Sequence, residues 1–138
     1  MKIKRVGIRV SVSVGALAAL VALASLGPST AWAHAFPQAE QPKVGSTVTT
    51  APSKVVIKYD APIQSLFAKL KVLNSSGKAV TNGGPKVGPD HRTLSVKLQA
   101  LKPGNYTVKW SVVAEDGHRT EGSYGFTLAA GTLEPGHP

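Results

Sequence analysis

A chain of 138 residues has room for one ordinary domain. It carries a formal charge of +9, no cysteine and a single methionine, Met1. Disulfides, thiolate metal sites, iron–sulfur clusters, cysteine nucleophiles and thioether ligands beyond residue 1 are therefore excluded, and 42% hydrophobic residues are too many for a disordered chain.

Residues 1–33 read as a cleavable signal peptide. Lys2, Lys4, Arg5 and Arg9 form a basic head without acids, and Val10 to Leu26 carries no charge. Gly27 and Pro28 break any helix, and Ala31-Trp32-Ala33 supplies the small residues that precede a cut. The competing reading is an uncleaved anchor; the A-x-A end favours cleavage after Ala33. Cleavage makes His34 the first residue, lowers the net charge from +9 to +5 by removing those four basic residues, and places the protein in the periplasm or elsewhere outside the cytoplasm. No apolar membrane span is expected after residue 33.

The remainder reads as all-β. Lys54 to Tyr59 (KVVIKY) puts Val55, Ile57 and Tyr59 on one face. Leu66 to Leu73 sets Leu66, Ala68, Leu70 and Val72 against Phe67, Lys69, Lys71 and Leu73, and Asn74 to Gly77 is a turn. Residues 79–92, rich in Gly, Pro and Asn, read as a long loop. Thr93 to Leu98 turns Leu94, Val96 and Leu98 inward. Leu101-Lys-Pro-Gly-Asn-Tyr106 has the form of a tyrosine corner, in which Tyr106 bonds back to the preceding backbone. Asn105 to Val113 aligns Tyr106, Val108, Trp110 and Val112, and Ser123 to Leu128 aligns Tyr124, Phe126 and Leu128. Residues 129–138 read as a flexible tail. Period-two alternation broken by turns predicts a small Greek-key β-sandwich or barrel of immunoglobulin-like type.

The lysines of this region stand singly along the chain, with no basic run interleaved with aromatics. They read as solvated surface, and no nucleic-acid partner is expected.

Four histidines carry most of the chemistry: His34, His91, His118 and His137. His137 reads as a solvated tail residue and His91 as a loop histidine beside Asp90 and Arg92. His34, once first in the chain, offers an α-amine and Nδ1 to one metal through an unstrained six-membered ring, and that donor set in a tetragonal field suits Cu(II). Taken alone, a histidine left first by chance is an equal reading. In Glu115-Asp116-Gly117-His118, Asp116 and His118 are two apart, which places them on one face of an extended strand; a hydrogen-bonded structural pair is the alternative, and D-G-x alone is a common turn. Together the two clusters offer three nitrogens and a carboxylate oxygen at one end of a sandwich.

Across the whole region after residue 33 the sequence resembles the CopC family of exported copper-resistance and copper-carrier proteins. The resemblance rests on His34-Ala35 followed by Gln41-Pro42-x-x-Gly45, on Ala51-Pro52 through Tyr59 with Ala61-Pro62-Ile63, on Gly104-x-Tyr106-x-Val108-x-Trp110, and on Asp116-Gly117-His118-x-x-x-Gly122-x-x-x-Phe126. It implies a copper-binding β domain over residues 34–128 that holds one Cu(II) per chain. His34 would supply amine and imidazole as a histidine brace, His118 a third nitrogen and Asp116 a carboxylate. It further implies a non-enzymatic role in sequestering or carrying copper, with a membrane copper permease of the CopD type as partner. Ala114 replaces a serine common in relatives, and the loop within residues 74–92 lacks the methionines with which some members hold Cu(I). Two alternatives stand beside this reading. One is a copper enzyme of the lytic polysaccharide monooxygenase type, which also begins with a histidine brace; the other is an immunoglobulin-like interaction module that binds no copper. A weak second copper site at His91 is left open.

Overall fold

The computed structural model describes residues 34–131 and Gly7. The expected signal peptide, residues 132–138 of the tail, and His137 lie outside the described residues. Contacts divide the chain into Met1–Ala31 and Trp32–Pro138, and the fold belongs to the second unit.

Among the described residues two four-stranded sheets face each other. One has the order β1 (Pro37–Gln41), β3 (Lys54–Tyr59), β6 (Thr93–Leu98), β5 (Thr81–Val87). The other has the order β2 (Thr47–Val48), β8 (Arg119–Leu128), β7 (Gly104–Val113), β4 (Lys69–Leu73). Only β5–β6 and β7–β8 are hairpins within a sheet; the other connections cross between the sheets, the Greek-key pattern of β-sandwiches. Among the described residues no helix is long and apolar enough to cross a membrane.

The core follows the alternation. Val55, Ile57 and Tyr59 meet Leu94, Val96 and Leu98 from one sheet, and Leu70, Val72, Tyr106, Val108, Val112, Tyr124, Phe126 and Leu128 from the other. The Tyr106 hydroxyl donates to the Lys102 carbonyl, closing the expected tyrosine corner.

Three expectations are corrected. The strand expected from Leu66 begins at Lys69; Ser65–Phe67 is a turn of 3-10 helix, and Leu66 is 86% exposed, unlike the buried Leu70 and Val72 of the same alternating set. Gln64 ties this segment to the end of β7 through its backbone N–H on Val113 and its side-chain amide on Ala114, so the chain turns before it pairs. The expected loop 79–92 contains β5. This strand pairs with β6 alone, and its register shifts between Asn82 and Lys86. Pro85 is tolerated at such an edge irregularity, and the mostly exposed strand shows no alternation. Finally, β8 starts at Arg119, before the apolar alternation at Ser123 begins.

Candidate metal centre

The β7–β8 hairpin builds one half of the site. Its last pair is Val113 with Arg119. The chain then turns through Ala114 to His118, with Gly117 N–H donating to Ala114 O (3.0 Å) and Ala114 N–H to His118 O (2.9 Å). Gly117 has φ 88°, a left-handed conformation that costs glycine least. Asp116 and His118 therefore meet in a turn, not along one face of an extended strand. Asp116 Oδ1 accepts the His118 backbone N–H at 3.0 Å, and Oδ2 lies 3.1 Å from His118 Nδ1.

The start of the domain builds the other half. Ala35 is fully buried, and its carbonyl accepts the Thr120 hydroxyl at 2.6 Å. The Phe36 N–H donates to Asp60 Oδ1 at 2.8 Å, while Asp60 N–H returns to Phe36 O at 3.0 Å. Held between β8 and the end of β3, the segment brings the His34 ring to 4.8 Å from the His118 ring, centroid to centroid, tilted by 45°. The Phe36 ring lies 6.0 Å from the His34 ring, centroid to centroid.

These contacts set the charge of the site. Asp116 titrates below the usual carboxylate range, chiefly because it accepts the His118 N–H; desolvation offsets part of this, and the His118 ring and His34 add smaller lowering effects. An ionised carboxylate beside two imidazoles is a donor set for a divalent cation of borderline softness. Among the described residues no three His, Cys, Asp or Glu side chains close around a metal position. His91 is exposed in the turn between β5 and β6, with φ 56° and its carbonyl accepting Ile63 N–H. Thr120 and Gln64, which hold the two halves in place, escaped the reading of the sequence. Their partners lie 85 and 50 residues away, and no local pattern marks such contacts.

The model of the CopC domain matches residues 38–129. Protein YobA of Escherichia coli is 33% identical over 106 residues, covering 75% of this chain and 86% of that protein. The copper transport protein CutJ of Bacillus subtilis is 32% identical over 73% of this chain, a stretch that makes up 19% of that protein. Among solved structures, CopC of Methylosinus trichosporium OB3b superposes with a TM-score of 0.65 at 31% identity, over 70% of this chain and 94% of that one. PcoC of Escherichia coli, a methionine-rich copper resistance protein, superposes with a TM-score of 0.62 at 25% identity, over 70% of this chain and 99% of that one.

Proposed function

The chain belongs to the CopC family, and from that premise we propose that it is an exported Cu(II) carrier, sequestering or handing over copper in copper resistance and homeostasis. The supporting observation is the meeting of His34, from the start of the domain, with His118 and Asp116 of the β7–β8 turn. Cleavage after Ala33 converts the His34 amide nitrogen, a poor ligand at neutral pH, into an amine. The amine and Nδ1 of His34 then chelate one Cu(II), His118 adds a nitrogen, and Asp116 adds an oxygen that offsets the metal's charge. Imidazole, amine and carboxylate suit tetragonal Cu(II), whereas Cu(I) prefers the sulfur that is absent after residue 1.

The Asp116–His118 contact favours a second task for the carboxylate. Resting on Nδ1, it orients the His118 ring, as carboxylates commonly do for histidine ligands. The chain is a carrier rather than an enzyme, and a membrane copper permease of the CopD type receives the ion. CutJ, a copper transport protein of which a region like this one forms 19%, supports a role in copper handling.

Cu(II) titration of the chain from His34 tests the reading. Affinity should fall with His118→Ala and Asp116→Ala, fall furthest with His34→Ala, and stay unchanged with His91→Ala. One added residue before His34 should weaken binding as severely as His34→Ala. Equal affinity in that extended chain would overturn the brace.

A further inference from the structure

Lysines that stand far apart in sequence share the outer face of the β1–β3–β6–β5 sheet. Lys54 is directly opposite Lys97, and Lys97 is opposite Asn82. One pleat further along, Lys86 is opposite Ser95. Like charges facing each other across a strand pair repel, and among the described residues none of these three lysines has an acidic partner. They border a hollow of about 420 Å³ whose other walls include Ser95 and the exposed Gly83–Gly84 backbone. The acids of this sheet lie elsewhere. Glu40 is opposite Ile57 and shares its inward side. Asp90 sits nearer Lys58, with its carboxylate held by Arg92 and Thr93. The other sheet also places like charges together, Lys71 opposite Lys109, but Glu121 shares that outer face.

We propose that the Lys54–Lys86–Lys97 face docks the protein on anionic phospholipid headgroups, with one lipid phosphate seated in the hollow. An excess of positive charge without acids complements a phosphate surface, and lysines close to an anionic bilayer add to binding one by one. A partner protein with an apolar contact face fits less well, because none of the exposed large apolar side chains, Phe36, Val44, Leu66 and Phe67, lines the hollow. Lys54 opens β3, whereas Tyr59 closes it beside Asp60 and Phe36. The lysine face thus lies towards the end of the sandwich away from His34 and His118, and docking leaves the metal centre uncovered. The proposal rests on no feature of that centre.

The test is co-sedimentation of the chain from His34 with vesicles, since Trp32–Pro138 is a unit of its own. Vesicles of equal parts phosphatidylcholine and phosphatidylglycerol should bind at low salt, and vesicles of phosphatidylcholine alone should not. Each lysine should contribute about fivefold to partitioning, so Lys54→Gln/Lys86→Gln/Lys97→Gln should lose on the order of 100-fold. The matched variant Lys69→Gln/Lys71→Gln/Lys109→Gln removes the same charge from the other face and should lose only a few-fold. Equal losses in the two triple variants would show that net charge alone is read, and would overturn the proposal. Tight calorimetric binding of inorganic phosphate by the wild-type chain, with no binding to anionic vesicles, would overturn it in favour of a soluble anion. Unchanged melting and Cu(II) titration of both variants confirm that fold and metal centre are intact.

Discussion

Gly122 faces Trp110 across the β7–β8 pair, and the indole lies over it. A Cβ at position 122 would stand 2.8 Å from Cζ2 and 3.0 Å from Cε2 of that ring. The edge-on Tyr59 ring packs against the indole with centroids 5.6 Å apart, so a retreat of the indole would disturb that contact. Gly122 is therefore required for space. Gly122→Ala should cost about 1–3 kcal/mol, as overpacking does, read by urea denaturation together with a shift in tryptophan fluorescence. At Gly125 the nearest atom to an added Cβ is Tyr106 O at 3.5 Å, an ordinary contact, and Gly125→Ala should cost much less. Equal costs would show that the indole yields. The same scale separates the histidines. His34 and His118 differ from His91 in what surrounds them, and the carboxylate on the His118 ring is a contact that His91 lacks.

The β5–β6 connection shows how one side chain holds an element. Gly88 N–H donates to Thr93 O at 2.8 Å, and inside the turn Asp90 Oδ1 accepts the N–H groups of Arg92 and Thr93, each at 3.0 Å. Asp90 Oδ2 takes the Thr93 hydroxyl at 2.6 Å. The Thr93 hydroxyl first, and the Arg92 N–H next, hold the Asp90 carboxyl below its ordinary range. Because the folded value lies below the unfolded one, the stabilisation is fully present above the ordinary carboxylate pKa. It is lost as pH falls through the lower, folded value. Asp90→Ala should melt below the wild type at neutral pH, and the two melting curves should converge on acidification; a gap independent of pH would contradict this assignment. At this scale sequence patterns were least informative. In β5 the Gly83-Gly84-Pro85 stretch that breaks the register also breaks the alternation, so an edge strand reads as loop. At Leu66 an alternating pattern continued past the residue where Gln64 turns the chain, because a pattern records polarity and not the hydrogen bonds that end a strand.

At the scale of the molecule, the two ends of the proposed ligand set reach the site by separate routes. His34 precedes β1 in one sheet, and Asp116 and His118 join β7 to β8 in the other. A metal held by both clips the sheets together where Thr120 already bonds to Ala35. Cu(II) at about 100 times its dissociation constant should add about 2.7 kcal/mol to stability, seen as a higher melting temperature. The chain carrying one extra residue before His34 should keep the fold and lose most of that rise. A rise of the same size in both would place the copper somewhere other than the amine of His34.

Period-two alternation was enough to establish the β class and the inward faces of β3, β6, β7 and β8, because side-chain polarity along an extended chain decides which face can leave water, and the Leu101-Lys-Pro-Gly-Asn-Tyr106 motif was enough for the tyrosine corner. His34 after Ala31-Trp32-Ala33 and the Asp116-Gly117-His118 segment were equally visible, as residue types carry their donor chemistry with them. Distances between segments were decided only by the tertiary structure. The pairing of His34 with His118, the bond from Thr120 to Ala35 and the tie from Gln64 to Ala114 depend on how two sheets stack and which ends of them coincide. The lysines show this most plainly: solitary in the sequence, Lys54, Lys86 and Lys97 become one charged face because antiparallel pairing sets residues from three strands side by side.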